Sequence, residues 1–115
     1  MATQAAQPDN YIDLILGTKV RVMNVQPPVA QTLAGLGGAT TQVDGRPAWE
    51  IKAADDAALA ALLQQLRDLG VLFVNEPAGW PPAAIFADLR ARGLVQGQYQ
   101  EITWRGPGQW SIYSR

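Results

Sequence analysis

An α+β domain is the fold this sequence predicts, and three observations point to it. Helical and strand-like apolar periodicities alternate along the chain instead of segregating. Short β-branched runs end at clusters of Gly, Pro and Asn, which break strands. One order of elements also occurs twice. Residues 20–25, the pair Pro27-Pro28, an apolar-periodic run and residues 45–51 are echoed by residues 71–75, Pro81-Pro82, a longer periodic run and residues 106–112. Both copies close on a Gly, three residues, then Trp-x-Ile, at Gly45, Trp49 and Ile51 and again at Gly106, Trp110 and Ile112. The expected architecture is a single domain over 11–115. It consists of two related helix–strand–helix–hairpin halves, 11–53 and 54–115, that share a mixed or antiparallel sheet.

The elements follow in order. Residues 1–10, rich in Ala and Gln, read as a flexible tail. Residues 11–16 admit two readings. They form either a short helix capped by Asp9 or the first strand of a hairpin that turns at Gly17-Thr18. The β-branched residues favour the strand. The parallel with the second half favours the helix, and the helix is the expectation. Residues 19–25 are a strand. Pro27-Pro28 opens a helix, because proline lacks only an N–H that the first turn would leave unbonded. Val29, Leu33 and Leu36 mark its buried face, and Gly37-Gly38 stops it. Residues 40–43 and 48–52 are strands around a turn at 44–47.

The clearest helix follows. Asp55 and Asp56 sit at its positive end, and Leu59, Leu62, Leu63 and Leu66 form one apolar stripe. Gly70 ends it. The unbroken apolar run 71–74 reads as a strand buried on both faces, in the middle of the sheet. Residues 75–82 are expected as a loop. Pro81-Pro82 then launches a helix through Ile85, Phe86 and Leu89, with Asp88 and Arg92 four apart as a surface ion pair. Residues 99–104 and 109–114 close the chain as a hairpin. Strand alternation divides that hairpin into two sets. Ile102, Trp104, Trp110 and Ile112 are expected in the core. Tyr99, Glu101, Thr103, Ser111 and Tyr113 are expected on the surface.

The composition removes several chemistries. With 115 residues the chain suits one domain with a real core. The formal charge of −1 argues against a general attraction to nucleic acid or to anionic membrane. There is no His and no Cys, so the commonest general base, the thiol nucleophile and the usual zinc ligands are missing. Ser111 and Ser114 have no evident base nearby in sequence, and Lys19 and Lys52 lie in no apolar run that would lower their pKa. Most of the carboxylates have structural explanations as helix starts, turn residues or surface partners. Gly35-Leu36-Gly37-Gly38 follows a helix, whereas a phosphate cradle must precede one. No catalytic residue, cofactor or metal is therefore expected. No run is long enough to span a bilayer, and the N-terminus has neither the basic start nor the apolar centre of a secretory signal. The expectation is a cytoplasmic protein with no membrane partner.

Two functions remain. The first is a small non-enzymatic module that binds another protein, as an inhibitor, an immunity-type protein, an adaptor or an assembly subunit. Its contact residues would be Trp80, Tyr99, Glu101, Arg105 and Tyr113, because Tyr, Trp and Arg combine apolar area with a polar tip. Pairing of exposed edge strands between copies would make it a homodimer. The second function rests on an analogy of element order. The 82–92 helix followed by the 99–114 hairpin reads like the recognition helix and wing of a winged-helix protein, with Arg90, Arg92 and Arg105 facing nucleic-acid phosphates. The helix has no Asn, Gln or Lys for base edges, so this is the alternative.

Overall fold

The structure, a computed structural model, describes residues 8–106 and 108–115, and for positions 76–78 only the backbone. The chain begins with a hairpin, β1 (Tyr11–Leu16) and β2 (Lys19–Met23), turning at Gly17 with φ 61°. Residues 11–16 are thus a strand, and the expected helix is corrected. A β-bulge interrupts this strand. The β1–β2 register shifts between Ile12 and Leu14, so one extra residue lets Ile12 and Ile15 face the same side although they are three apart. That spacing imitates a helix. Asp13, at the bulge, accepts a bidentate bond from Arg21 at 2.9 and 3.0 Å.

Helix α1 (Pro27–Gly35) starts at its proline pair and buries Val29 and Leu33. Leu36, expected in the core, is exposed just past the helix end. Strands β3 (Ala39–Val43) and β4 (Arg46–Lys52) form a hairpin around Asp44 and Gly45. Both turn residues have positive φ, 52° and 77°, the tight type I′ geometry. Helix α2 (Asp56–Asp68) is capped by the Asp55 carboxylate, which accepts the Ala58 N–H at 2.8 Å, and it buries all four leucines of the stripe. Strand β5 (Leu72–Gly79) runs on through most of the expected loop. Helix α3 (Pro82–Ala91) and the hairpin of β6 (Gln100–Gly106) and β7 (Gln109–Ser114) complete the chain.

The strands make one seven-stranded mixed sheet in the order β3-β4-β2-β1-β5-β6-β7. β5 is parallel to both β1 and β6, and the other pairings are antiparallel. This is a single α+β domain. The larger core cluster joins residues from all three helices, among them Leu33, Leu63 and Phe86, to one face of the strands through Ile12, Val22 and Phe73. The second cluster contains residues of strands only: Tyr11, Met23, Ala48, Val74 and Ile102. The helices therefore cover one face, and the other, although its cluster is no more than 4% exposed, is bare of helices among the described residues.

The two halves expected from the sequence pair their strands differently. In the first, β2 pairs antiparallel with β4, the return strand of its hairpin. In the second, β5 pairs parallel with β6, the outgoing strand, and leaves β7 at the edge. Trp49 consequently packs toward the helix-side core, whereas Trp110 belongs to the bare face. Pro8 to Asn10 are tied to the domain, since Asn24 donates to the Pro8 carbonyl and Asn10 bonds to both Asn24 and Leu72. The remainder of the expected tail, 1–7, lies outside the described residues.

Candidate interaction site

The last hairpin obeys strand alternation but faces the opposite way from the sequence expectation. Glu101 is paired with Phe73 of the helix-covered face, so Tyr99 and Glu101 turn under α3. They are only 1% and 2% exposed, which corrects their expected place on the surface. The cause is an aromatic cluster. Tyr99 stacks on Phe86 with ring centroids 4.3 Å apart, and the Phe73 edge closes the group at 5.3 Å. The Tyr99 hydroxyl donates to the Glu101 carboxylate at 3.2 Å, and Arg115 Nε donates to its other oxygen at 3.0 Å. The buried charge thus has both a partner and a donor, as burial requires. Arg90 lies over both the Phe86 and Tyr99 rings and donates to the main-chain oxygens of Gly97 and Arg115. Helix α3 is thereby clasped to the end of β7.

This network has a consequence at high pH. Burial first, and the Glu101 carboxylate second, push the Tyr99 phenol up from 10.0 to about 12. Unfolded chains lose that proton near the ordinary value, while the native state keeps it. Stability is therefore complete below pH about 10 and falls as the pH rises toward about 12. Urea unfolding across that window should show the loss, and Tyr99→Phe should reduce it. An equal slope in wild type and variant would show that Tyr99 is not the group responsible.

The other members of the expected site sit elsewhere. Arg105 and Tyr113 are together at the rim beyond α3. The Arg105 guanidinium bonds the Ser111 hydroxyl at 3.0 Å and the Tyr113 hydroxyl, and it lies 5.8 Å from the Tyr113 ring. Among the described residues it has no carboxylate partner. Tyr113 is 44% exposed. On the bare face of the same hairpin, Trp104 and Ile112 are 41% and 46% exposed, with Trp110 half-buried between them in sequence. Trp104 meets Tyr11 and Trp110 edge-on, at 5.7 and 5.9 Å. Sequence reasoning placed these residues in the core. Their size pointed to burial, and nothing local reveals which face the helices leave open.

β7 is also an edge. Tyr99 and Arg115 exchange both of their main-chain bonds, at 3.3 and 2.9 Å. In an antiparallel ladder bonded pairs alternate with non-bonded ones, so Tyr113 and Ser111 also bond inward to β6. The N–H and C=O groups of Trp110, Ile112 and Ser114 accordingly point outward.

Trp80 is separate from the hairpin cluster. It stands 56% exposed at the end of β5, with its N–H bonded to the Ile15 carbonyl at 2.7 Å. It borders a groove of about 390 Å³ with Leu59, Ile85 and Leu89, and Asp56 and Asp88 lie on the rim. Arg92 bridges those two carboxylates at 2.9 and 3.2 Å. Of the three arginines assigned to phosphates in the alternative, Arg90 and Arg92 are thus engaged within the protein. No three potential metal-ligating side chains converge among the described residues, and no helix among them is long and apolar enough to cross a membrane. Compared with known proteins, the chain matches no family model, no curated protein and no solved structure.

Proposed function

We propose that this chain is a small non-enzymatic module that binds another protein through the β6–β7 hairpin. The observation that carries the reading is Trp104 and Ile112, exposed as diagonal neighbours across the β6–β7 pair on a face that no helix covers among the described residues. Large apolar side chains presented this way mark interaction surfaces. Aromatic anchors with Arg and Tyr at the rim are the usual composition of binding hot spots. Arg105 and Tyr113 lie on the opposite face of the same hairpin, where a partner reaching round the β7 edge would meet them, and Trp80, fixed by its main-chain bond, is a second contact point at the far end of β5. The nucleic-acid alternative has less support, because two of its three arginines, Arg90 and Arg92, are already bonded to carbonyl or carboxylate oxygens of the protein.

The test is recovery of partners from the protein's own cells by the wild type and by the double variant Trp104→Gln, Ile112→Gln. The double variant should lose its specific partner by about tenfold or more, the effect of one hot spot. Leu36→Gln, an equally exposed leucine on another surface, should recover it normally. An unchanged set of partners in the double variant would remove the hairpin as the site.

A further inference from the structure

We propose that β7 receives, as an eighth strand, an extended segment of a partner protein in which apolar and acidic residues alternate. This deepens the hairpin reading and rests on it.

The sheet has two edges, and they differ. β3 carries Ala, Thr and Gln at its exposed positions and no large apolar group there. β7 has an outward row of main-chain donors and acceptors at Trp110, Ile112 and Ser114. It also lacks several usual protections of an edge, having no Pro, no Lys and no acid, and the register shift of the β6–β7 pair lies at its turn end, between Trp104 and Gly106. An incoming strand would lie about 4.8 Å away, with its side chains alternating in step with those of β7. Residues opposite Trp110 and Ile112 would fall on the bare face. There they would extend the apolar surface of Trp104 and Ile112, so apolar residues belong at those positions. Residues opposite Ser111 and Tyr113 would fall on the other face, where the Arg105 guanidinium reaches across β7 to both hydroxyls. That cation has no carboxylate partner among the described residues, and Arg115 nearby adds a second, partly neutralised one. Acidic residues therefore belong at those positions. A second copy of this chain fits less well. Its β7 carries no acid, and Glu101 is buried and bonded to Arg115, so both Arg105 groups would stay unpaired.

Short synthetic peptides test the proposal on the full chain, followed by backbone amide signals. A peptide alternating valine with glutamate should shift the Trp110, Ile112 and Ser114 amides and slow their hydrogen exchange. A valine–lysine peptide should bind about tenfold or more weakly. In Arg105→Gln the two affinities should converge to within about threefold. The glutamate peptide is also made N-methylated at its valines and, separately, at its glutamates. One of these forms should lose binding, because only one set of amides can face β7. Equal binding of the acidic and basic peptides, undiminished binding of both methylated forms, or shifts outside β7 would each overturn strand addition. Partner recovery that depends on Trp104 and Ile112 would in that case leave the module reading intact, and loss of that dependence would remove both.

Discussion

Replacing Gly79 by alanine is expected to destabilise the domain by about 3 kcal/mol or more, the sum of a backbone penalty and a backbone overlap. Gly79 ends β5 at φ 85°, in the left-handed region. A side chain there would cost about 1–2 kcal/mol in any surroundings. The surroundings add to it. A Cβ would overlap the Ile15 carbonyl oxygen and stand 3.1 Å from its carbonyl carbon and 3.2 Å from Leu14. That oxygen accepts the Trp80 N–H, so relieving the overlap would disturb both the β1–β5 pairing and the position of Trp80. Gly70 provides the control. Its φ is 88° and nothing lies within 4 Å of a Cβ built there. Gly70→Ala should therefore show the backbone penalty alone. Urea unfolding of the two variants separates the terms, and equal losses would mean that the close approach at Ile15 is absent.

Tyr99→Ala should cost about 3–5 kcal/mol, the range for truncating a large buried aromatic. The change opens a cavity between Phe73 and Phe86 and removes a donor from the buried Glu101 carboxylate. Trp110→Ala is expected to cost less, about 1–2 kcal/mol, since the indole is half-buried on the bare face and only part of its area leaves water on folding. The ranking is the informative result. From the sequence, Trp110 belongs to the core and Tyr99 to the surface, and the tertiary structure exchanges them. A larger loss from Trp110→Ala in denaturant unfolding would return the hairpin to its sequence-based orientation.

The exchange shows where local information ends. Helix α2 was legible because its cap, its leucine stripe and its closing glycine all lie within the segment itself. The proline-led starts of α1 and α3 were legible for the same reason. The Asp44-Gly45 turn and the central burial of β5 also came from residue types in sequence. Strand β1 was misread because the matching order of the two halves, with Asp9 as a possible cap, outweighed the β-branched residues that favoured a strand. Of the expected contact residues, Trp80, Arg105 and Tyr113 are exposed, and Tyr99 and Glu101 are not.

From residue order alone came the α+β class, the places of the three helices and of every strand but β1, and the division of the last hairpin into two alternating sets. Each depends on interactions within a few residues: capping, φ preference and the two-residue repeat of a strand. The tertiary structure decided which strands pair, whether they run parallel, and which face receives the helices. Those choices depend on contacts between segments far apart in the chain, such as Phe73 with Phe86 and Tyr99. A strand with large apolar groups on both sides satisfies its local rules equally well whichever way it is turned.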